Sequence, residues 1–143
     1  MNAAIQSFIH GFDNFLVSSV AAGVLLIVSC VVYVILTPMK EMELLRNGNA
    51  SAGLGLAGVI IGLAIPISSA LATSVSLFDL LIWGVVALLI QLLSFRIVDL
   101  ILKDLPKRIE RDEAGAAILL IAVKISSAMI IGAALWVPAP VIS

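Results

Sequence analysis

Four polar side chains stand inside or at the edge of long apolar stretches: Gln91, Arg96, Asp99 and Lys124. An ionisable group in hydrocarbon costs about 2.5–3.5 kcal/mol on insertion scales, so each needs a partner or a wet cavity. Lys124 lies 11 residues past Glu113, about 16 Å along a helix, which puts it near the bilayer midplane. Asp99 is its best carboxylate candidate, although Arg96 and Asp99 are spaced i, i+3 and suit each other. Three roles remain open for Lys124: a structural ion pair, the lining of an ion or transport path, or snorkelling to the interface. Other chemistry has little to work with. The single histidine, His10, reads as an interfacial polar residue, and the single cysteine, Cys30, as a small buried hydrophobe. The serines lack a base, and neither a ligand cluster nor a phosphate loop occurs. No catalytic, cofactor-binding or metal-binding residue is expected, and the chain reads as a non-enzyme.

The elements that hold these residues follow from composition. Of 143 residues, 62% are hydrophobic and 12% charged, about half the charged share of a soluble domain. The net charge is −1 and no basic patch alternates with aromatics, which argues against a nucleic-acid partner. One all-α membrane domain, residues 1–143, is expected, with membrane lipids around it. Residues 1–14 place Ile5, Phe8, Ile9 and Phe12 at helical spacing with Gln6, Ser7, His10 and Asp13 between, and read as an interfacial amphipathic helix rather than a signal peptide. Four transmembrane helices are then predicted over 15–36, 50–72, 79–102 and 114–136. Pro38 ends the first, Asp79 and Trp83 open the third, and Trp136 anchors the fourth ahead of Pro138 and Pro140.

Seven of the eight Lys and Arg residues fall in the first and third connections or at the end of the third helix. The positive-inside rule therefore puts both connections in the cytoplasm and both termini outside. Leu102, Leu105 and Ile109 allow part of the third connection to lie on the membrane surface. Asn47, Gly48 and Asn49 form a tight turn, with Asn49 placed to cap the second helix. That helix carries Ser51, Gly55, Gly58 and Gly62 on one face, a small-residue surface for close helix packing. Pro66 leaves the Gly62 carbonyl without its helical donor, so a kink is expected, with Ser68 or Ser69 helping to repair the bonding.

A shift of 64 residues lays the chain on itself: Ala50 meets Ala114, Leu56 meets Leu120, Val59 meets Val123, Ile61 meets Ile125, Ala64 meets Ala128 and Ile67 meets Ile131. Residues 15–72 and 79–136 read as two two-helix units in the same orientation, a parallel repeat. Gln91, Arg96, Asp99 and Lys124 correspond to Ile27, Val32, Ile35 and Ile60, so the second unit has gained polarity. Position 60 lies about 160–200° around the helix from Gly58 and Gly62. If the small face packs within the subunit, Lys124 is expected to point elsewhere, toward another helix or another subunit.

The run from Asn47 to Pro66, with the Asp79–Trp83 region and the weaker Ala114-Gly-Ala-Ala copy, resembles the bacterial inner-membrane domain-of-unknown-function-350 (YjfL-like) family. The resemblance implies four spans built from two units and a place in the bacterial inner membrane, and it supplies no activity. Some members are encoded beside phage-shock-type membrane-stress proteins, which implies such a partner and envelope maintenance by association. Two function classes stand: a homo-oligomeric structural or partner-binding membrane component, and an oligomeric ion channel or transporter with Lys124 and Asp99 lining the path.

Overall fold

The structure, a computed structural model, describes residues 2–138; the expected break at Pro140 lies outside them. The described residues form α1 (Ala3–Leu36), α2 (Glu41–Arg46), α3 (Ala50–Thr73), α4 (Leu77–Leu102), α5 (Leu105–Glu110) and α6 (Ala114–Ala134). Of these, α1, α3, α4 and α6 are long and apolar enough to cross a membrane. Three of them, α3, α4 and α6, match the predicted spans to within two residues at each end, and α1 ends where expected, because uninterrupted apolar runs leave little freedom in where a helix stops.

One expectation fails at the N-terminus. The segment read as a separate interfacial helix is the first third of α1, which runs unbroken from Ala3. No proline interrupts it, and Gly11, which faces open space, does not break it either. At 34 residues α1 is about 51 Å long, well beyond the roughly 30 Å of a hydrocarbon core. It stops at Thr37, which takes an extended conformation ahead of Pro38 and donates its hydroxyl to the Tyr33 carbonyl at 3.0 Å.

The centre of the bundle is α3, which packs on α6, α4 and α1. Its small face makes the closest approach: a Cβ added at Gly58 would lie 3.2 Å from the Ile121 backbone, and one at Gly55 would touch Leu120. Farther along, Gly132 of α6 receives Ile65 and Ser69 of α3. These pairings rise together along both helices, so α3 and α6 run parallel. Small residues let two backbones close in where apolar lipid offers no hydrophobic drive to association.

The first and third connections hold the short helices α2 and α5. Each ends in a turn with a left-handed residue, Gly48 at φ 82° and Asp112 at φ 57°. Gly48 N–H bonds to Leu45 O at 3.0 Å and Asn49 N–H to Leu44 O at 2.9 Å; Asp112 N–H bonds to Ile109 O at 2.9 Å and Glu113 N–H to Arg108 O at 3.1 Å. Each of these bonds has its counterpart 64 positions away. The two turns are also stitched together. Asn49 Oδ1 caps α3 by accepting from Ala52 N–H at 2.8 Å, while its amide donates to the Ile109 carbonyl at 2.8 Å, at the end of α5. In return, Asp112 accepts from Ser51 N–H at 2.8 Å in the first turn of α3. This N–H bond holds the Asp112 carboxyl below its ordinary range.

Candidate functional site

The polar residues of the bundle converge on one interior seam. Lys124 of α6 is fully buried, and its stem leads toward the end that carries α2 and α5, the direction in which helical side chains lean. Its ammonium donates to the Tyr33 hydroxyl of α1 and lies 3.9 Å from the centre of that ring. A desolvated ammonium gains from both contacts, which offset part of the cost of burial. Tyr33, also fully buried, sits one turn before α1 ends.

The nearby carboxylate is Glu41, the first residue of α2, which is 1% exposed with neither oxygen accepting a hydrogen bond. Burial pushes its carboxyl above the ordinary range, and the charge of Lys124 draws it part of the way back. Glu41 lies in the wall of a cavity of about 540 Å3 beside α2, together with Lys40, Glu43, Arg46 and Asn47.

Gln91 of α4 completes the seam. It is fully buried, and its amide donates to the Gly62 carbonyl at 3.1 Å and to the Lys124 carbonyl at 3.3 Å. The Gly62 carbonyl is the one that Pro66 leaves without a helical donor. Gln91 therefore makes the repair expected of Ser68 or Ser69; Ser68 bonds instead to Ile65 O at 2.8 Å. Glycine at 62 is what admits the amide, since a Cβ there would lie 2.6 Å from Gln91 Oε1. One turn on, Ser94 and Ser127 meet at 3.2 Å and Ser127 donates to the Lys124 carbonyl at 2.9 Å, joining α4 to α6.

Lys124 meets another helix, α1, one of the two placements expected for it, and does so inside the subunit. The two parallel helices present different faces to each other: α3 offers Gly55, Gly58 and Gly62, whereas α6 turns Leu120, Lys124 and Ala128 inward. Two expectations for these residues are corrected. Lys124 does not pair with Asp99. That carboxylate accepts the Leu105 N–H at 2.9 Å and braces the reversal into α5, where Lys103 and Asp104 both hold φ 55°. Arg96, exposed on α4, forms no ion pair with Asp99. Sequence reasoning did not single out Tyr33 or Glu41, two of the buried polar groups of this seam. A signal did exist for Glu41: its counterpart at the 64-residue offset is Leu105, which is buried.

The seam joins α1, α3, α4 and α6 through hydrogen bonds and one cation–aromatic contact. Its members hold helices together at depth and, at Glu41, leave one buried carboxylate beside a polar cavity.

Comparison with known proteins bears on which molecules share this architecture. The model of the family described as Domain of Unknown Function (DUF350) matches residues 7–135. The chain is 37% identical over 92 residues to the UPF0719 inner membrane protein YjfL of Escherichia coli strain K12, an alignment covering 64% of this chain and 70% of that protein. The protein of the same name from Escherichia coli O157:H7 matches to the same extent. No solved structure matches the chain. With a family match across nearly its full length and an all-helical bundle of four apolar spans, this multi-pass membrane protein belongs to the DUF350 family.

Proposed function

We propose that this protein is a homo-oligomeric structural or partner-binding component of the bacterial inner membrane, working in envelope maintenance without catalysis. The observation that carries the reading is the uncovered first third of α1. Residues 3–17 are exposed on every side, yet Ile5, Phe8, Ile9, Phe12 and Leu16 form an apolar stripe on which Phe8 and Phe12 stack with ring centres 5.2 Å apart. A helix longer than the bilayer is thick has an apolar face left for another protein chain, for the membrane interface, or for both in turn. The paired turns and their matching bonds support a duplicated two-helix unit inserted twice in one orientation. The Lys and Arg distribution supports connections in the cytoplasm, where a phage-shock-type membrane-stress protein would meet them, and termini outside. The test is the mass of the purified protein in detergent, by light scattering. Wild type is expected as a multimer and Phe8→Ser/Phe12→Ser as a smaller species of unchanged helicity; a wild-type monomer overturns the oligomeric reading.

Ion movement is the second reading, favoured by the buried Glu41 carboxylate lying between Lys124 and a polar cavity. Proteoliposomes decide it. An ion flux through wild type that changes rate or selectivity in folded Lys124→Met supports a path through the seam, and the absence of flux sinks it.

A further inference from the structure

Two adjoining concavities lie between α1, α2 and α3. One is a groove of about 500 Å3 with an almost wholly apolar lining, in which Ile27, Cys30 and Val31 of α1 face Leu56 and Ile60 of α3. The other is the polar cavity of about 540 Å3 beside α2. Val34 and Met42 line both, so the groove runs directly into the cavity. Each falls within the roughly 300–1,000 Å3 of ordinary ligand sites. The groove lies between two spans, where alkyl chains are the solvent, and the cavity lies beyond the end of α1, at headgroup level.

The polar half is complementary to a zwitterion. Lys40 and Arg46 offer cationic donors of the kind that take phosphate, and Arg can do so with two parallel bonds. Glu41 offers the opposite. Its carboxylate is buried in the wall, neither oxygen has a hydrogen-bond partner, and Lys124 acts on it without bonding to it. A buried carboxylate in that condition calls for a donor. The contact of Lys40 with Glu43, at 3.7 Å, is exposed on both sides and holds neither side chain firmly.

We propose that the groove and the cavity together bind one phospholipid with a primary-amine headgroup. One acyl chain lies along Ile27, Val31, Leu56 and Ile60; the phosphate sits between Lys40 and Arg46; the ammonium donates to Glu41, whose buried carboxylate turns from Lys124 into the cavity to accept it. This site does not depend on the oligomeric reading, since it is built from one subunit.

Native mass spectrometry of the purified full chain tests it, after incubation with equal amounts of phosphatidylethanolamine and phosphatidylglycerol carrying identical dioleoyl chains. The ethanolamine lipid is expected to be retained about tenfold or more over the glycerol lipid, the range of one charge-assisted hydrogen bond. Glu41→Gln should bring the two to parity. Ile60→Trp, at a position 44% exposed on the groove, should lower retention of both without unfolding the protein. Equal retention by wild type overturns the proposal, as does a preference that survives Glu41→Gln or lipid that stays bound to Ile60→Trp. Glycerophosphoethanolamine, which lacks acyl chains, should fail to displace the lipid at equal concentration. Displacement by it would show a headgroup site and overturn the assignment of the groove, and a groove filled by a second copy of the chain would retain neither lipid and overturn it too.

Discussion

At the scale of single residues, Glu41 and Lys124 show what a buried charge does when its partner is close but not bonded. Glu41 faces Lys124 of α6 and Tyr33 of α1, and shares its cavity with Lys40, Glu43 and Arg46. Desolvation outweighs the attraction of Lys124, so the folded state holds the Glu41 proton more tightly than the unfolded chain does. The sign of the linkage follows. The contribution is fully present below the ordinary carboxyl value of 4.5 and is lost as pH rises through the raised folded value. Asp112 acts in the opposite sense: its lowered carboxyl stabilises above its ordinary value of 3.8 and loses that contribution as pH falls through the folded value. Melting temperatures of wild type should therefore decline as pH rises from 4.5 toward neutrality, and Glu41→Gln should flatten that decline while leaving the acid limb unchanged. An identical slope in the variant would show that another group carries it. Lys124 was legible in the sequence as an ionisable group among apolar ones. Tyr33 was not, because nothing within α1 records that it ends up against a lysine 91 positions away, and Glu41 left only the indirect signal of its counterpart Leu105; both contacts are decided by how α1 lies across α3 and α4.

At the scale of elements, α3 keeps a proline in mid-span because α4 supplies what the proline removes. Gly62, Pro66 and Gln91 form a matched set: proline frees the carbonyl, glycine clears the space and glutamine donates into it. The free carbonyl was readable from Pro66 alone. The donor was not, since Ser68 and Ser69 are neighbours in sequence whereas Gln91 arrives only when α3 and α4 pack. Reading Gly55, Gly58 and Gly62 as a packing face was sound, but assigning α6 the corresponding face was not. α3 turns Gly55, Gly58 and Gly62 inward, while α6 turns Leu120, Lys124 and Ala128 inward, so the two helices use different sides. Two expectations follow for stability measured by denaturant titration in micelles. Gly62→Ala should cost about 1–3 kcal/mol, because a Cβ 2.6 Å from the Gln91 amide forces that side chain out of place. Gln91→Leu should cost about 1–3 kcal/mol in wild type by leaving a buried carbonyl unpaired. In Pro66→Ala the cost should be smaller, because an N–H at position 66 then satisfies Gly62. Strict additivity in that cycle would mean that Gln91 contributes only through packing or through the Lys124 carbonyl.

At the scale of the whole molecule, the bundle is asymmetric across its length. One end carries α2, α5, the stitched turns and most of the cationic residues; the other carries the α3–α4 turn and the free stretch of α1. The asymmetry was legible from the charges alone, since five of the basic residues lie between Arg96 and Arg111 and two more lie at Lys40 and Arg46. The structure gives the charged end a second reason to stay on one side of the membrane. Asn49 and Asp112 bond each turn to the other, which holds the two connections at the same end of the bundle. A dual-topology protein has charges balanced between its two ends; this one has them on a single locked end. With Cys30 replaced by serine, a cysteine at Val75, which is 96% exposed in the α3–α4 turn, should react with a membrane-impermeant maleimide added to intact spheroplasts. A cysteine at Glu110, exposed at the end of α5, should react only after permeabilisation. The reverse pattern would put α2, α5 and the lipid headgroup cavity on the outer face. Labelling of both sites in intact spheroplasts would mean that chains insert both ways, and the charge asymmetry would then have to serve the partner or lipid that meets it rather than the act of insertion.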